Sequence, residues 1–300
     1  MKLNISFLIL VLFSNLYASS VLIDDPFRSS KPWFIKNNEE RSVRRLLIKL
    51  ASSPLGKELI KSANNKAKAR GETLYDVIKA GRGSLTDTTL IRKFTVGNPE
   101  HIVYETQAKV YINKNLNQYD ALLDLAHELT HFVYRKDFNP YVKNFSLDEF
   151  IQSTIEGEGG EVRAFITECK IAAQIFGGVR SGRSNCAAIQ DGQEYSFSKA
   201  KEMFYQVGDH FHRFNKLLEI KKIRESFPEL SDNKASFVSS AYGIPYPVAA
   251  FEEYVTVLNK VCQNDKKRLS YFKQVPDRSP ASKISAIEKS YESRCKNFTL

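Results

Sequence analysis

The stretch from Asn117 to Asp137 constrains this chain most, because it places two histidines and a glutamate at helical spacing. Asn117 can cap the first turn of a helix. Apolar residues recur along one side of the stretch at helical intervals, at Leu122, Ala126, Leu129 and Val133. His127 and His131 are one turn apart, so both imidazoles leave the same helical face. The pattern predicts a helix that carries a HExxH signature, with Glu128 as its glutamate.

This signature predicts a zinc site. Two imidazoles on one helical face can reach one ion at about 2.0–2.1 Å, the distance at which histidine binds tetrahedral Zn²⁺. Glu128 lies beside them and can take the proton of a water molecule that the metal activates. The chain has five histidines, so a chance match has an expectation of roughly one in a hundred. We expect Zn²⁺ as cofactor, His127 and His131 as ligands, and Glu128 as general base.

The first twenty residues predict export. Lys2 precedes an apolar run, residues 5–17, which is too short to cross a bilayer and is followed by small residues. Residues 1–20 are therefore expected to be a signal peptide, and the mature protein to be secreted or periplasmic without a transmembrane segment. With 42% hydrophobic residues, the remaining chain is long enough for a large core in one or two domains.

Cysteine usage agrees with export. The four cysteines are Cys169, Cys186, Cys262 and Cys295. None has a partner at metal-ligand spacing, so two disulfides are expected in an oxidising compartment. Three connectivities are open, of which the short loops favour Cys169–Cys186 with Cys262–Cys295. Four separate buried thiols are the alternative.

Positive charge is concentrated after the signal peptide. Residues 21–100 contain sixteen Lys and Arg against nine Asp and Glu, within a net charge of +10 for the chain. Such a surface would suit an anionic cell-envelope polymer, although basic helices are more often simply solvated. No nucleic-acid module signature accompanies it, so we expect no specific nucleic-acid partner.

Hydrophobic periodicity predicts helices on both sides of a small sheet. Helical patterns cover Glu40–Ser52, Leu55–Arg70 and Leu74–Lys79. Strand-like segments, rich in β-branched and aromatic residues, are Thr89–Val96 and His101–Asn113. The last strand runs straight into the HExxH helix. As an edge strand it could pair with an extended peptide, and an internal strand is the alternative.

These segments define a fold class and a division of the chain. We expect an α+β fold, mainly helical, with a small antiparallel sheet preceding the HExxH helix. Residues 21–98 would form a basic helical region, and residues 99–300 the metal-binding domain with a helical C-terminal part. Within the latter, Ser146 and Glu149 predict a capping box at the start of a further helix.

A catalytic zinc site needs a third protein ligand and an open position for water. Glu156, Glu158 and Glu161 lie 25 to 30 residues after His131, which is enough chain to bring a second helix alongside the first. Three glycines within residues 157–160 predict a turn or a close backbone approach. Glu161 then opens a helical pattern that runs to residue 176 and ends at two glycines.

The segment from Gln118 to Phe176 resembles the HExxH zincin metallopeptidases, specifically the gluzincin arrangement in which a downstream Glu completes the site. Glu161–Phe165 is similar to the ligand segment of some small gluzincins, where the liganding Glu precedes an aromatic residue by four positions. The resemblance is limited to this segment and matches no particular member. It implies a zincin-like fold, peptidase activity and Glu161 as third ligand, with Glu158 as the second choice.

Asp137 offers a further alternative, because it occupies the last position of the HExxHxxGxxD pattern of some metzincins. Tyr134 replaces the Gly of that pattern, and Met203, the one Met outside the signal peptide, lacks turn residues beside it. Asp137 therefore ranks below the glutamates. The sequence does not identify the residue that stabilises the oxyanion; Tyr242, beside Gly243, is one candidate among fourteen tyrosines.

Together these features predict a secreted zinc-dependent metallopeptidase that hydrolyses peptide or protein substrates. One alternative is an amide hydrolase that acts on peptidoglycan cross-links, which export and the basic surface would suit. The other is a zinc-binding protein that keeps a zincin fold without turnover. Metal content and a comparison with Glu128→Gln discriminate among these functions.

Overall fold

The computed structural model describes residues 30–136, 139–142, 145–177, 185–220, 224, 227–274 and 281–296. The predicted signal peptide and Asp137 lie outside these residues. Within them the protein is mainly helical, with a three-stranded and a two-stranded sheet, so the predicted α+β class is confirmed.

Two helices open the described chain, and each begins at a capping side chain. Helix α1 spans Glu39–Leu50, and the side chain of Asn38 accepts a hydrogen bond from its first turn. Helix α2 spans Pro54–Lys68 and is capped by Ser53. The proline stands in the first turn, where its missing N–H has no helical partner to lose.

Helix α3, Leu74–Val77, is a single turn and is shorter than the predicted helix that ended at Lys79. It ends early because the next residues pair with another strand: Ile78 lies opposite Val110. Residues Ile78–Gly81 therefore form strand β1. The pairing partner is more than thirty residues away, which a local pattern cannot reveal.

Strand β3, Val103–Asn113, lies at the centre of the sheet, in the order β1-β3-β2. Strand β2, Leu85–Lys93, begins before the predicted start at Thr89 and pairs antiparallel with β3, whereas β1 pairs parallel with it. The sheet is therefore mixed. The prediction of an edge strand directly before the HExxH helix is wrong, because β1 pairs with the last four residues of β3, Val110–Asn113, and β2 pairs on the other side. Within the described sheet the long edge strand is β2.

The remaining elements are mostly helices. They are α4 (Gln118–Tyr134), α5 (Leu147–Ile155), α6 (Glu161–Phe176), α7 (Asn185–Ala188), β4 (Gln190–Asp191), β5 (Glu194–Tyr195), α8 (Phe197–Phe204), α9 (Phe211–Ile220), α10 (Tyr246–Gln274) and α11 (Ala281–Tyr291). None of the described helices is both long and apolar enough to cross a membrane.

The predicted capping box before α5 is wrong. Ser146 stands at the N-cap position in an extended conformation, but its side chain makes no capping hydrogen bond. Asp148 and Glu149 lie in the first turn instead, where their charges interact favourably with the helix dipole. The predicted end of α6 is confirmed, since Gly177 follows its last residue with φ of +71°.

Two hydrophobic cores hold these elements together. The N-terminal core is built by α1–α4, β1 and β3 around buried residues that include Trp33, Leu46, Ile112, Leu125 and Leu129. The C-terminal core is built by α5, α8, α9 and α10 around residues that include Phe150, Phe204, Phe214, Phe251 and Leu258. Helix α6 belongs to both, through Ile171 on one side and Phe165 on the other. The division at residue 98 stays a prediction.

Both predicted disulfides are confirmed. Cys169 of α6 is bonded to Cys186 of α7, and Cys262 of α10 is bonded to Cys295. All four cysteines are thus oxidised. Structural disulfides persist in oxidising compartments and are rare in the cytosol, so this finding agrees with the expectation of an exported protein.

Candidate metal centre

Helix α4 is a rigid platform for the HExxH residues. The backbone N–H of Asp120 donates to the Asn117 side chain, which caps the helix as predicted. Its apolar face is buried in the N-terminal core, at Leu122, Leu125, Ala126, Leu129 and Phe132. Burial on several sides fixes the rotation of the helix, and with it the direction in which its histidines point.

The two imidazoles lie close together on α4. Their ring centroids are 4.7 Å apart, and potential ligand atoms of His127, Glu128 and His131 all lie within 4.8 Å of one another. His131 is 4% exposed, which is low for a polar side chain. A search of the described His, Cys, Asp and Glu side chains for groups that could hold a metal ion finds these three residues.

Helix α6 brings Glu161 against both histidines. Its Oε2 is 3.2 Å from Nε2 of His127, and its Oε1 is 3.4 Å from Nε2 of His131. Four ligands at about 2.0–2.1 Å around a tetrahedral ion are about 3.3–3.4 Å from one another. The two observed spacings, one to each carboxylate oxygen of Glu161, are close to this edge length.

The other ring nitrogens have partners of their own. Nδ1 of His131 lies 2.8 Å from the carbonyl oxygen of Gly159, and Nδ1 of His127 lies 3.3 Å from Oε2 of Glu168. Such partners hold Nδ1 as the protonated nitrogen and leave Nε2 to bind a metal. Both imidazoles therefore turn their Nε2 atoms towards Glu161, and a metal ion bound there would replace a proton on Nε2.

Electrostatics tie His127 and Glu161 together. Burial alone would lower the pKa of His127, but hydrogen bonds with Glu161 and Glu168 prevail and raise it well above its usual value. Burial alone would raise the pKa of Glu161, but the charges of His131 and His127 prevail and lower it well below its usual value. The metal-free pair therefore holds a proton, which a divalent cation would displace.

Glu128 is held by the edge strand. The hydroxyl of Thr86, in β2, lies 2.7 Å from Oε2 of Glu128 and 2.8 Å from the backbone carbonyl oxygen of the same residue. Glu128 is 7% exposed. A hydrogen bond to one carboxylate oxygen fixes the orientation of the group and leaves the second oxygen as a proton acceptor.

The Gly-rich turn makes the close approach that its composition predicted. Gly159 has φ of +103°, and a Cβ built on it would lie 2.2 Å from the backbone nitrogen of Arg135. The turn is thus pressed against the end of α4, and this contact places the carbonyl oxygen of Gly159 beside His131. Only glycine fits such a position without strain.

The structure separates the candidate ligands. Glu161 is 8% exposed and contacts both imidazoles, whereas Glu158 is exposed at the cavity wall. Glu156 points elsewhere, accepting a hydrogen bond from Tyr205 at 2.8 Å and pairing with Lys201 at 2.7 Å. Asp137, the metzincin-type alternative, lies outside the described residues.

Several neighbours of the site were not found from sequence. Glu168 follows Glu161 by seven residues, or two helical turns, so helical periodicity would have placed both on one face of α6. Thr86 and Tyr246 carry no such signal, because the chain brings them from distant elements. Tyr246 lies close enough to Glu161 and Glu128 for their charges to add to the effect of burial on the pKa of its hydroxyl, whereas the charges that act on Tyr242, the sequence candidate, are those of Glu253 and Glu252.

A cavity of about 1040 Å³ opens beside these residues. Residues 86–90 of β2 line one wall, and α10 lines another through residues that include Tyr246 and Glu253. Beyond this wall, Arg92 of β2 forms a buried ion pair with Asp265 of α10. The cavity is large enough for several residues of a peptide chain.

Comparisons with protein-family models, with curated proteins and with solved structures give no match for this chain. The relation to the HExxH zincins therefore rests on the motif and on the metal-binding geometry of His127, Glu128 and His131. Geometry of this kind establishes a group that could bind a metal ion. The identity of the metal and the reaction are matters for proposal.

Proposed function

We propose that this chain is an exported zinc-dependent peptidase. His127, His131 and Glu161 would bind the zinc, and Glu128 would act as general base. The observation that carries the proposal is the spacing of Glu161 from both Nε2 atoms, at 3.2 and 3.4 Å, in a cavity that Glu128 also lines. Two histidines and a carboxylate, with a position left for water, are a common ligand set of catalytic zinc.

When bound, zinc would polarise the scissile carbonyl group and acidify a water molecule. Glu128 would accept the proton from that water and pass it to the leaving nitrogen. Thr86 supports this role, because its hydroxyl holds one carboxylate oxygen at 2.7 Å. The hydrogen bonds to Nδ1 of His127 and His131 would keep both rings in position while the proton moves.

Tyr246 is our candidate for the group that would stabilise charge on the carbonyl oxygen, because it lines the cavity together with Glu128 and Glu161. Burial, together with the negative charges of Glu161 and Glu128, raises the pKa of its hydroxyl well above the usual value. The hydroxyl therefore stays protonated at neutral pH and can donate a hydrogen bond to an oxyanion. This assignment replaces the sequence candidate, Tyr242.

The shape of the cavity favours a peptide as substrate. Residues 86–90 belong to β2, the long edge strand of the described sheet, and they line the cavity next to Glu128. An edge strand can bind an extended peptide through backbone hydrogen bonds. Such a peptide would pass directly beside the proposed zinc ligands, with helix α10 on its other side.

The test compares three single substitutions. Glu161→Gln should lose both zinc and activity, because a neutral amide is a poor zinc ligand. Glu128→Gln should keep zinc and lose turnover by several orders of magnitude, because its proton acceptor is gone. Glu158→Gln is the matched control and should change neither. Zinc is measured by elemental analysis, and turnover on broad peptide and cell-wall panels.

Three results would redirect the proposal. Loss of zinc in Glu158→Gln, with zinc retained in Glu161→Gln, would move the third ligand to the other glutamate. One zinc per chain without turnover in the unmodified protein would identify a catalytically silent zinc-binding protein. Turnover confined to the cell-wall substrates would favour the peptidoglycan-directed alternative.

A further inference from the structure

Five cationic side chains line the cavity, and one of them, Lys260, belongs to α10. We call the other four the basic wall; they are Lys66, Arg70, Arg135 and Lys136. They surround the C-terminal end of α4. Nζ of Lys66 donates to the carbonyl oxygens of Val133 and Arg135, at 3.3 and 3.4 Å. The cations of Lys66 and Arg70 lie 5.7 and 5.6 Å from the ring centre of Phe132.

Arg135 is the member that reaches the metal ligands. Its Nη2 is 3.3 Å from Oε1 of Glu161. Its Nε is buried, and no group among the described residues accepts a hydrogen bond from it. A guanidinium is a planar fork of N–H donors that matches the two oxygens of a carboxylate, and the Arg135 side chain lines the cavity and is 33% exposed.

Metal binding would change the charge balance around Arg135. In the metal-free protein Glu161 is its counter-ion. Once Glu161 binds a divalent cation, its charge is shared with that ion, and Arg135 stands beside an additional positive charge. Glu253 interacts with Arg135, but burial raises the pKa of this carboxyl and disfavours its charged form. Metal binding would therefore leave Arg135 with a weaker counter-ion on this side.

Three further acids that line the cavity come from other elements. Asp87 comes from β2, Glu149 from α5 and Glu158 from the turn before α6. The basic wall itself comes from α2 and from the end of α4, with Lys136 exposed at its rim. An incoming anion would meet this cationic face next to the metal ligands.

From this arrangement we infer that the basic wall is a substrate subsite that binds a carboxylate close to the scissile bond. The inference rests on the proposed peptidase function and adds a substrate class to it, namely peptides with an acidic residue or a free C-terminus near the cleaved bond. Arg135 makes the principal contact, and Lys66, Arg70 and Lys136 supply the field that attracts the anion.

The test measures peptide binding rather than turnover, on zinc-loaded Glu128→Gln protein by calorimetry. The probes are an end-blocked Ala-Glu repeat, an end-blocked Ala-Gln repeat and an Ala-Gln repeat with a free C-terminus. The Ala-Glu repeat or the Ala-Gln repeat with a free C-terminus should bind at least about tenfold more tightly than the end-blocked Ala-Gln repeat. The difference between the first two tells whether a side-chain or a C-terminal carboxylate is recognised. Adding Arg135→Gln should remove most of this preference.

Matched variants make the result decisive. Lys68→Gln should leave the preference for a carboxylate unchanged, because Lys68 is exposed on the same helix as Lys66 but does not line the cavity. Lys136→Gln changes an exposed side chain, so it should keep the fold and reduce the preference. It replaces Arg135→Gln as the test if that variant loses its zinc or its folded structure. Zinc content and melting temperature are measured for every variant.

Equal binding of the three probes, or no binding of any, would overturn the inference. So would a preference that survives in both Arg135→Gln and Lys136→Gln. The peptidase proposal is judged separately, by turnover of the unmodified protein. Cleavage without a preference for acidic peptides would contradict the proposed subsite alone. Selective binding of a carboxylate without cleavage would contradict the proposed peptidase reaction alone.

Discussion

Gly159→Ala tests whether the turn before α6 supports the metal site. This glycine has φ of +103°, and an added Cβ would lie 2.2 Å from the backbone nitrogen of Arg135 and 2.6 Å from the carbonyl carbon of Tyr134. Both neighbours are backbone atoms at the end of a buried helix. The turn, rather than the helix, must therefore move to make room.

The size of the movement follows from the distances. Restoring an ordinary contact of 3.4 Å requires a shift of about 1.2 Å. A shift of that size would take the carbonyl oxygen of Gly159 from 2.8 Å to about 4 Å from Nδ1 of His131, which breaks the hydrogen bond. Loss of such a partner typically weakens metal binding about 10–100-fold. The positive φ adds a stability cost of about 1–2 kcal/mol.

Zinc affinity is measured by competition with a chelator, and stability by thermal unfolding of the metal-free protein. Gly177→Ala is the control, since this glycine also has a positive φ but an added Cβ would contact nothing within 4 Å. The control should lose stability by about 1–2 kcal/mol and keep its zinc affinity. A folded Gly159→Ala protein that binds zinc as tightly as the unmodified protein would refute the reasoning.

Three further predictions follow from the site and its supports. Zinc affinity should fall as the pH is lowered through the raised pKa of His127, by about tenfold per pH unit for each proton that zinc displaces. Competition with a chelator at several pH values measures this, and a constant affinity would contradict the prediction. Tyr246→Phe should lower turnover about 10²–10³-fold and keep its zinc, whereas Tyr242→Phe should leave turnover unchanged. Steady-state kinetics measures turnover, and elemental analysis measures zinc. Replacing Cys169 and Cys186 with Ser should lower the free energy of unfolding by about 3 kcal/mol, because the disulfide closes a loop with a sequence separation of 17. An unchanged midpoint in a denaturant titration would contradict this prediction.

The parts of the site that sequence predicts are the local ones. His127, Glu128 and His131 lie within five residues, so helical spacing alone places them together. Glu161 could be proposed because it opens a second helix after a Gly-rich turn, and the structure brings it to both imidazoles. Tyr246 escaped prediction because it reaches the site from a helix more than eighty residues further along the chain.

The fold was predictable to a similar degree. Helices with a strong apolar periodicity and a capping residue, such as α1 and α2, lie where the sequence placed them. The sequence pattern predicts the end of a helix where strand β1 lies, because four residues are too few to show the period of a strand. The conformation of these residues is determined by pairing with β3. Ser146 fits a capping box by type and spacing, yet forms no capping hydrogen bond.

The position of the metal-binding group between the two cores bears on when the protein can become active. His127 and His131 are held by a helix of the N-terminal core, whereas Glu161 opens the half of α6 that packs in the C-terminal core, next to Val162 and Phe165. A chain in which one core has not yet formed cannot present all three side chains together. Newly made or partly folded molecules would therefore lack the complete group of side chains, and the proposed hydrolysis would begin only at the last stage of maturation.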